Sequence, residues 1–488
     1  MSPAPGTSGG RQATTGDRRP ARRRVVALVL GGTTLLSLQG GLLRVALPAI
    51  RRDLGVGISG AQAVSLAGLV VVCSTLVAFG RLADLVGPRR VYAWGLVAFG
   101  AGAGLSVAAP DVGWLVLAQA AQGLGWSMSV ASGTVLLVSV FDPAERARAV
   151  AANHVAVAVG LAAGPAVGGV VIDQFGWRWG FAALVPAALA LAVVAAAGSS
   201  PPRDRGRAQF DLRGAVALAA ALAAALSLID AGARDRLGPG GVSVAAAASA
   251  TALVVFIRLQ LRAADPVLDL RLFARRGFSA GLAASFLNFV AMASNMFLLP
   301  FYLQDHRGLS AGRAGAVMLV MPVAIVVAAP LAGTFADRVS PRAPATAGLA
   351  LIAAAVALMA AFSADTPLAL VVVVLAVYGA GAGLFQSPNI SAVIGSVAPG
   401  HFGVASASLA TVARLGQVVG VAVAGGVWQW GLDRHGHSPG GQTAAFRLAF
   451  AVLAVFGVLA AVASWLRGPA EPAPGIAATA AVGQAGVQ

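Results

Sequence analysis

Residues 80–89 read GRLADLVGPR, and residues 333–342 read GTFADRVSPR. Gly80, Ala83, Asp84, Val86, Pro88 and Arg89 recur as Gly333, Ala336, Asp337, Val339, Pro341 and Arg342, six identities in ten positions at an offset of 253. A repeat at such an offset marks two homologous halves rather than a short-period array. Around the two copies, apolar runs of about 20 residues, the length of a membrane-spanning helix, fall at 25–48, 61–80, 91–109, 114–138, 150–172, 179–198, 212–231, 242–261, 279–303, 312–335, 343–362, 367–388, 402–427 and 446–466. Each copy follows the second run of a six-run block. The sequence therefore predicts an all-α polytopic membrane protein with fourteen transmembrane helices: two pseudo-symmetric six-helix bundles plus two inserted helices. Paired halves around a central site are an organisation found in transporters.

Composition points the same way. The chain has 488 residues, 58% of them hydrophobic and 11% charged, whereas soluble domains average about 25% charged. So little charge cannot clothe a water-facing surface. All 34 basic residues are arginine. The absence of lysine excludes a P-loop nucleotidase and a Schiff-base enzyme, and with the alanine excess it suits a GC-rich bacterial genome. A single cysteine, Cys73, excludes a disulfide framework and a multi-cysteine metal site, and no metal is expected. The net charge of +16 is carried by short arginine bursts between apolar runs, which fits an anionic inner leaflet and not nucleic acid. With the N-terminus inside, inner segments hold 23 arginines and outer segments 9, and Arg44 and Arg414 fall within spans. This bias predicts both termini in the cytoplasm.

The expected domains are a disordered basic arm at 1–24, a six-helix bundle at 25–198, two inserted helices with flanking loops at 199–278, a second bundle at 279–466 and a disordered tail at 467–488. A signal peptide is rejected for the arm, because the apolar run behind it is too long and thirteen more follow.

The motif set resembles the major facilitator superfamily, specifically its fourteen-span drug:proton antiporter branch, over about residues 25–466. The resemblance is carried by Gly80 to Arg90, by Gly160-Leu-Ala-Ala-Gly164-Pro165-Ala-Val-Gly168-Gly169, by Gln122-Gly123-Leu124-Gly125, by Val45-Ala46-Leu47-Pro48, by Trp177-Arg178-Trp179 and by Pro300 to Gln304. It implies a cytoplasmic latch between the halves at Gly80, Asp84, Gly87, Arg89, Arg90 and Asp337. It implies a flexible seal at Gly160, Gly164, Pro165, Gly168 and Gly169. The latch arginines also satisfy the positive-inside rule, and the seal glycines also serve plain close packing. Gly416 and Gly420 look like the second-half counterpart. The Gly100, Gly102, Gly104 and Gly379, Gly381, Gly383 runs lie in apolar helices with no strand before them, so they are packing glycines and not a dinucleotide loop. The resemblance further implies a multi-pass protein of the bacterial plasma membrane, monomeric, with no cofactor and the proton gradient as its energy source.

Departures from the branch are as informative. The usual span 1 aspartate and span 4 arginine are Gln39 and Gln119 here, and the usual span 1 asparagine is Arg44. No carboxylate lies near the middle of any span; Asp230 comes nearest. A proton-coupled carrier needs a titrating group within reach of its cavity, and His154 is the candidate carrier, against a plain interfacial histidine. In the resembling fold the first and fourth spans of each half line the cavity. Gln39, Arg44, Gln119, Gln122, Ser127, Asn288, Asn295, Tyr378, Gln386 and Asn389 fall on those spans, and Arg414 on span 13 is a second intramembrane charge. The amides line a wet cavity or bond between helices; Arg44 faces the cavity or snorkels; Arg414 faces the cavity or has a structural partner. Arginine without a buried carboxylate disfavours lipophilic cations, so the expected cargo is an anionic or neutral amphipathic small molecule, exported by alternating access in exchange for protons. The competing reading is a transport-deficient membrane sensor or scaffold of the same fold. A membrane enzyme is disfavoured, because no His/Asp/Glu cluster has ligand spacing.

Overall fold

The computed structural model describes residues 15–142, 145–198, 274–338, 342–397 and 402–468, with isolated helical positions between 241 and 258. The first half comprises α1 (Thr15–Asp53), α2 (Ile58–Val86), α3 (Pro88–Val107), α4 (Val112–Ser139), α5 (Arg146–Phe175) and α6 (Trp177–Ala196). The second comprises α7 (Arg276–Phe301), continued by a π-helical turn at Tyr302–His306, then α8 (Ala311–Arg338), α9 (Arg342–Met359), α10 (Leu368–Gly395), α11 (Phe402–His435) and α12 (Pro439–Trp465). Ten of these twelve helices are long and apolar enough to cross a membrane. The other two, α3 and α4, are rich in Gly, Ser and Gln and bury those residues against each other. Twelve long helices are thus established among the described residues, where fourteen were expected. The two inserted spans, 212–231 and 242–261, lie outside the described residues apart from the isolated positions, as do Asp230 and residues 1–14 and 469–488.

Local chemistry sets the helix boundaries. Gly87 alone joins α2 to α3 at φ +106°, and Gly176 alone joins α5 to α6 at φ +88°. These backbone conformations suit glycine and strain other residues. Pro88 then opens α3 at a position where its missing N–H costs nothing. Asp111 accepts from the Trp114 amide at 2.8 Å and caps α4, and Ser438 accepts from the Gly441 amide at 3.2 Å and caps α12. One boundary departs from expectation. The arm at 1–24 is helical from Thr15 onward, because α1 continues past the apolar run. Arg22 reaches across from it to Glu145 at 2.9 Å and stacks over Phe141, and so pairs charge between α1 and the α4–α5 connection.

The halves repeat the same packing. In the first, α1 lies on α5, α2 on α4, α3 on α4 and α3 on α6. Advancing every label by six gives α7 on α11, α8 on α10, α9 on α10 and α9 on α12, all of which occur. Between the halves α5 packs on α8 and α2 on α11, the two contacts a pseudo-twofold axis exchanges. Burial shows where the halves join. One apolar core runs through both, from Leu47 and Ile50 of α1 to Phe297 and Phe301 of α7. At the end carrying Gly87, here the motif end, each half has a core of its own: Val25, Leu28, Tyr92, Leu136 and Ala195 in the first, and Phe278, Leu282, Val393, Val397 and Ala405 in the second. The halves are fused through the opposite end, here the seal end.

Candidate substrate site

The glycine-proline motif of α5 works on two faces. Gly160, Gly164 and Gly168, four residues apart, abut α1 at Thr34, Leu38, Gly41 and Leu42 within the first half. Gly169 abuts the Ala311 carbonyl, and the Pro165 carbonyl abuts Gly315, so this second face meets α8 of the other half with no room for a Cβ on either glycine. Asp173, one further turn along that face, accepts from the Ala311 and Gly312 amides at 2.8 Å each. A carboxylate from one half thereby caps the N-terminus of a helix in the other, where the free amides and the helix dipole favour negative charge. Nearby, Asp305 on the π-helical turn takes Arg51 at 2.7 Å and Arg52 at 2.9 Å from the end of α1. Gln304 donates to the Val45 carbonyl at 2.9 Å, and Gln62 of α2 donates to the Ala422 carbonyl of α11 at 3.0 Å. These bonds roof the space between the halves at the seal end.

Beneath the roof lie the two intramembrane arginines. Arg44 directs a guanidinium nitrogen at the Met296 sulfur of α7, 3.8 Å away, so it points into the other half and does not snorkel. Arg414 bonds Gln417 at 3.0 Å and stacks on Trp126 of α4, 4.6 Å from the ring centroid. The two guanidinium groups lie within electrostatic reach of each other, and Cys73 of α2 lies in the field of Arg414. Both arginines remain partly accessible at mid-helix. Acidic side chains among the described residues sit at helix ends and in connections, so none neutralises this pair.

The amides divide by half. Gln39 donates to Gln119 at 3.1 Å, Gln119 to Ser106 at 3.3 Å, and Gln122 to Ser106 at 2.9 Å, all buried. They tie α1, α4 and α3 together, and Ser127 accepts from Thr75 of α2 at 3.0 Å. Where cavity lining was expected for these glutamines, interhelical bonding is what the geometry gives, because it satisfies donors that lipid could not. In the second half Asn389 donates to Ser285 at 2.7 Å and accepts from Arg467. The Gln122 carbonyl oxygen, both amide atoms of Asn288, the Asn295 carbonyl and the Tyr378 hydroxyl are buried without a partner. Gln386 is half-buried. An unsatisfied buried polar group costs about 1–3 kcal/mol, so among the expected cavity residues Gln122, Asn288, Asn295 and Tyr378 carry atoms able to gain from a bound polar molecule.

The remaining expected residues fall elsewhere. Arg89 donates to the Ala195 carbonyl at 2.7 Å and the Val194 carbonyl at 3.1 Å, capping the end of α6 in its own half. Asp84 and Arg90 are exposed at the motif end, Gly80 is in α2 and Gly87 forms the joint. Asp337 belongs to α8, and its side chain lies outside the described residues. His154 is exposed on α5. The roof residues Gln62, Asp173, Gln304 and Asp305 and the stacked Trp126 were missed from sequence. Asp173 carried a usable signal, since its spacing of four from Gly169 puts both on one helical face.

The chain matches the sequence profile of the Major Facilitator Superfamily over residues 29–421 and 281–485. It is 30% identical over 402 residues to the riboflavin transporter RibZ of Clostridioides difficile, covering 82% of this chain and 86% of that protein. It is 30% identical to the puromycin resistance protein pur8 of Streptomyces alboniger, covering 90% and 91%, and 29% identical to the multidrug efflux pump LfrA of Mycolicibacterium smegmatis, covering 84% and 82%. The fold is similar to that of a bacterial homologue of the lysosomal transporter Spinster in an inward-facing, unoccupied conformation, with a TM-score of 0.66 and 15% identity over 93% of this chain and 98% of that one. With its paired six-helix halves, glycine-proline motif and family-wide match, the protein belongs to the major facilitator superfamily; it is a membrane transporter and not an enzyme.

Proposed function

We propose that the protein exports a small amphipathic molecule, anionic or neutral, by alternating access in exchange for protons. The observation that carries the reading is the pair of intramembrane arginines from opposite halves, between a seal end where the halves bond and a motif end where each has its own core, with no carboxylate beside them among the described residues. Arg22–Arg24, Arg89, Arg90, Arg146 and Arg148 gather at the motif end, which supports a cytoplasmic motif end, both termini inside and an inward-facing carrier. A guanidinium pair repels lipophilic cations and attracts anions. Relatives named for riboflavin, puromycin and actinorhodin are consistent with aromatic, polar cargo. The protein acts as a monomer in this reading, with no cofactor beyond the proton gradient.

Everted membrane vesicles test it. Accumulation of an acidic amphipath that collapses with the pH gradient is expected. Strong accumulation of quaternary ammonium dyes, with none of acidic compounds, would overturn the anionic preference. No gradient-dependent accumulation of any compound would favour a sensor or scaffold.

A further inference from the structure

The two arginines come from opposite halves: Arg44 from α1 and Arg414 from α11. Among the described residues neither has a carboxylate partner. Arg44 meets a thioether, and Arg414 meets an amide and an indole. Like charges held within reach of each other are unfavourable unless an anion lies between them. Guanidinium groups suit a planar carboxylate, because their N–H donors match its two oxygens. Trp126 stands beside Arg414 and Met296 beside Arg44, an aromatic and a polarizable neighbour of the kind an aromatic ring prefers. The roof bond from Gln304 falls on Val45, the residue after Arg44, so the position of Arg44 depends on the other half.

We propose that Arg44 and Arg414 jointly receive the carboxylate of an aromatic acid, each half contributing one guanidinium, with the ring of the acid beside Trp126 and Met296. The cargo is thereby an aromatic carboxylic acid rather than any amphipath. The anion supplies the charge the protein lacks and links the halves through itself. This rests on the transporter reading above for the entry of a small molecule, but its test reads the site and not transport.

Cys73 makes the test direct. It is the chain's sole cysteine, half-buried on α2 in the field of Arg414. On the purified full-length protein, a thiosulfonate reagent bearing a sulfonate should modify Cys73 on the order of tenfold faster than one bearing a trimethylammonium group. Arg44→Gln and Arg414→Gln should each erode that preference, and Arg414→Lys should keep it. Next, 1-naphthoate should protect Cys73, and the isosteric 1-naphthamide should not. Protection should weaken on the order of tenfold in either single glutamine variant. The double variant should be no worse than the weaker single one, because both arginines hold one carboxylate. Equal reagent rates, no reaction with either reagent, no protection by 1-naphthoate or equal protection by 1-naphthamide would each overturn the proposal. The two readings fail separately. Protection by naphthoate with no accumulation in vesicles removes the exporter and leaves the receptor. Export of neutral amphipaths with no charge preference at Cys73 does the reverse.

Discussion

Replacing Gly169 by alanine sets two effects of known sign against each other. Within α5, Gly→Ala favours the helix by about 1 kcal/mol, and it does so whether the halves are closed or open at the seal end. Between the halves, the added Cβ meets the Ala311 carbonyl and the Gly312 Cα at 2.9 Å, contacts too close for ordinary packing. The obstacles are backbone atoms at the start of α8, where Asp173 pins both amides. They cannot rotate away as a side chain would. Overpacking of this kind costs about 1–3 kcal/mol, and here the cost falls on the closed state alone. Gly169→Ala should therefore leave folding intact or slightly improved while moving the population toward the seal-open form by about 5- to 150-fold. Spin labels at Gln174→Cys and His437→Cys, both exposed near the seal end in opposite halves, in a Cys73→Ser background, read this as a longer and broader distance distribution. An unchanged distribution in a variant of unchanged thermal stability would show that α5 and α8 do not form the seal.

Asp305→Asn removes two ion pairs between the halves and should open the seal end in the same label pair by about 1–2 kcal/mol, discounted for the exposure of Arg52; a shift absent at low salt would count against the roof. Gly87→Ala faces open space but a φ of +106°, so it should lower the unfolding midpoint through backbone strain of about 1–3 kcal/mol, with no change in spin-label distance at the seal end. Gln119→Met leaves the Gln39 amide buried without its acceptor and should cost about 1–3 kcal/mol, whereas Gln39→Met with Gln119→Met should recover most of it; equal costs for the single and double variants would show that these amides face water.

Much of the architecture was legible because bilayer constraints write themselves locally. Each helix must satisfy its own backbone and present about 20 apolar residues, so run length and the GRLADLVGPR repeat disclosed the helices and their two-half arrangement. The runs at 91–109 and 114–138 disclosed α3 and α4 as well, although their polar residues, hidden by each other, make them less apolar than the rest. The site was only half legible. Arg44 and Arg414 stood out as charges at membrane depth, but nothing local says that one faces a thioether and the other an indole. Gln39 and Asn288 look alike in the sequence. One donates its amide to Gln119 and the other holds two unpartnered atoms, because bonding depends on which side chain a neighbouring helix brings opposite.

By itself, then, the sequence determined a lysine-free, arginine-rimmed chain of spanning helices in two related blocks, since those properties follow from composition and from periodicity within single segments. Tertiary structure decided which end is fused, that Asp173 of one half caps a helix of the other, and that two guanidinium groups from opposite halves come within electrostatic reach with no carboxylate beside them among the described residues. These are relations between residues about 140 and 370 positions apart, and only packing brings such residues within reach of a hydrogen bond or of each other's charge.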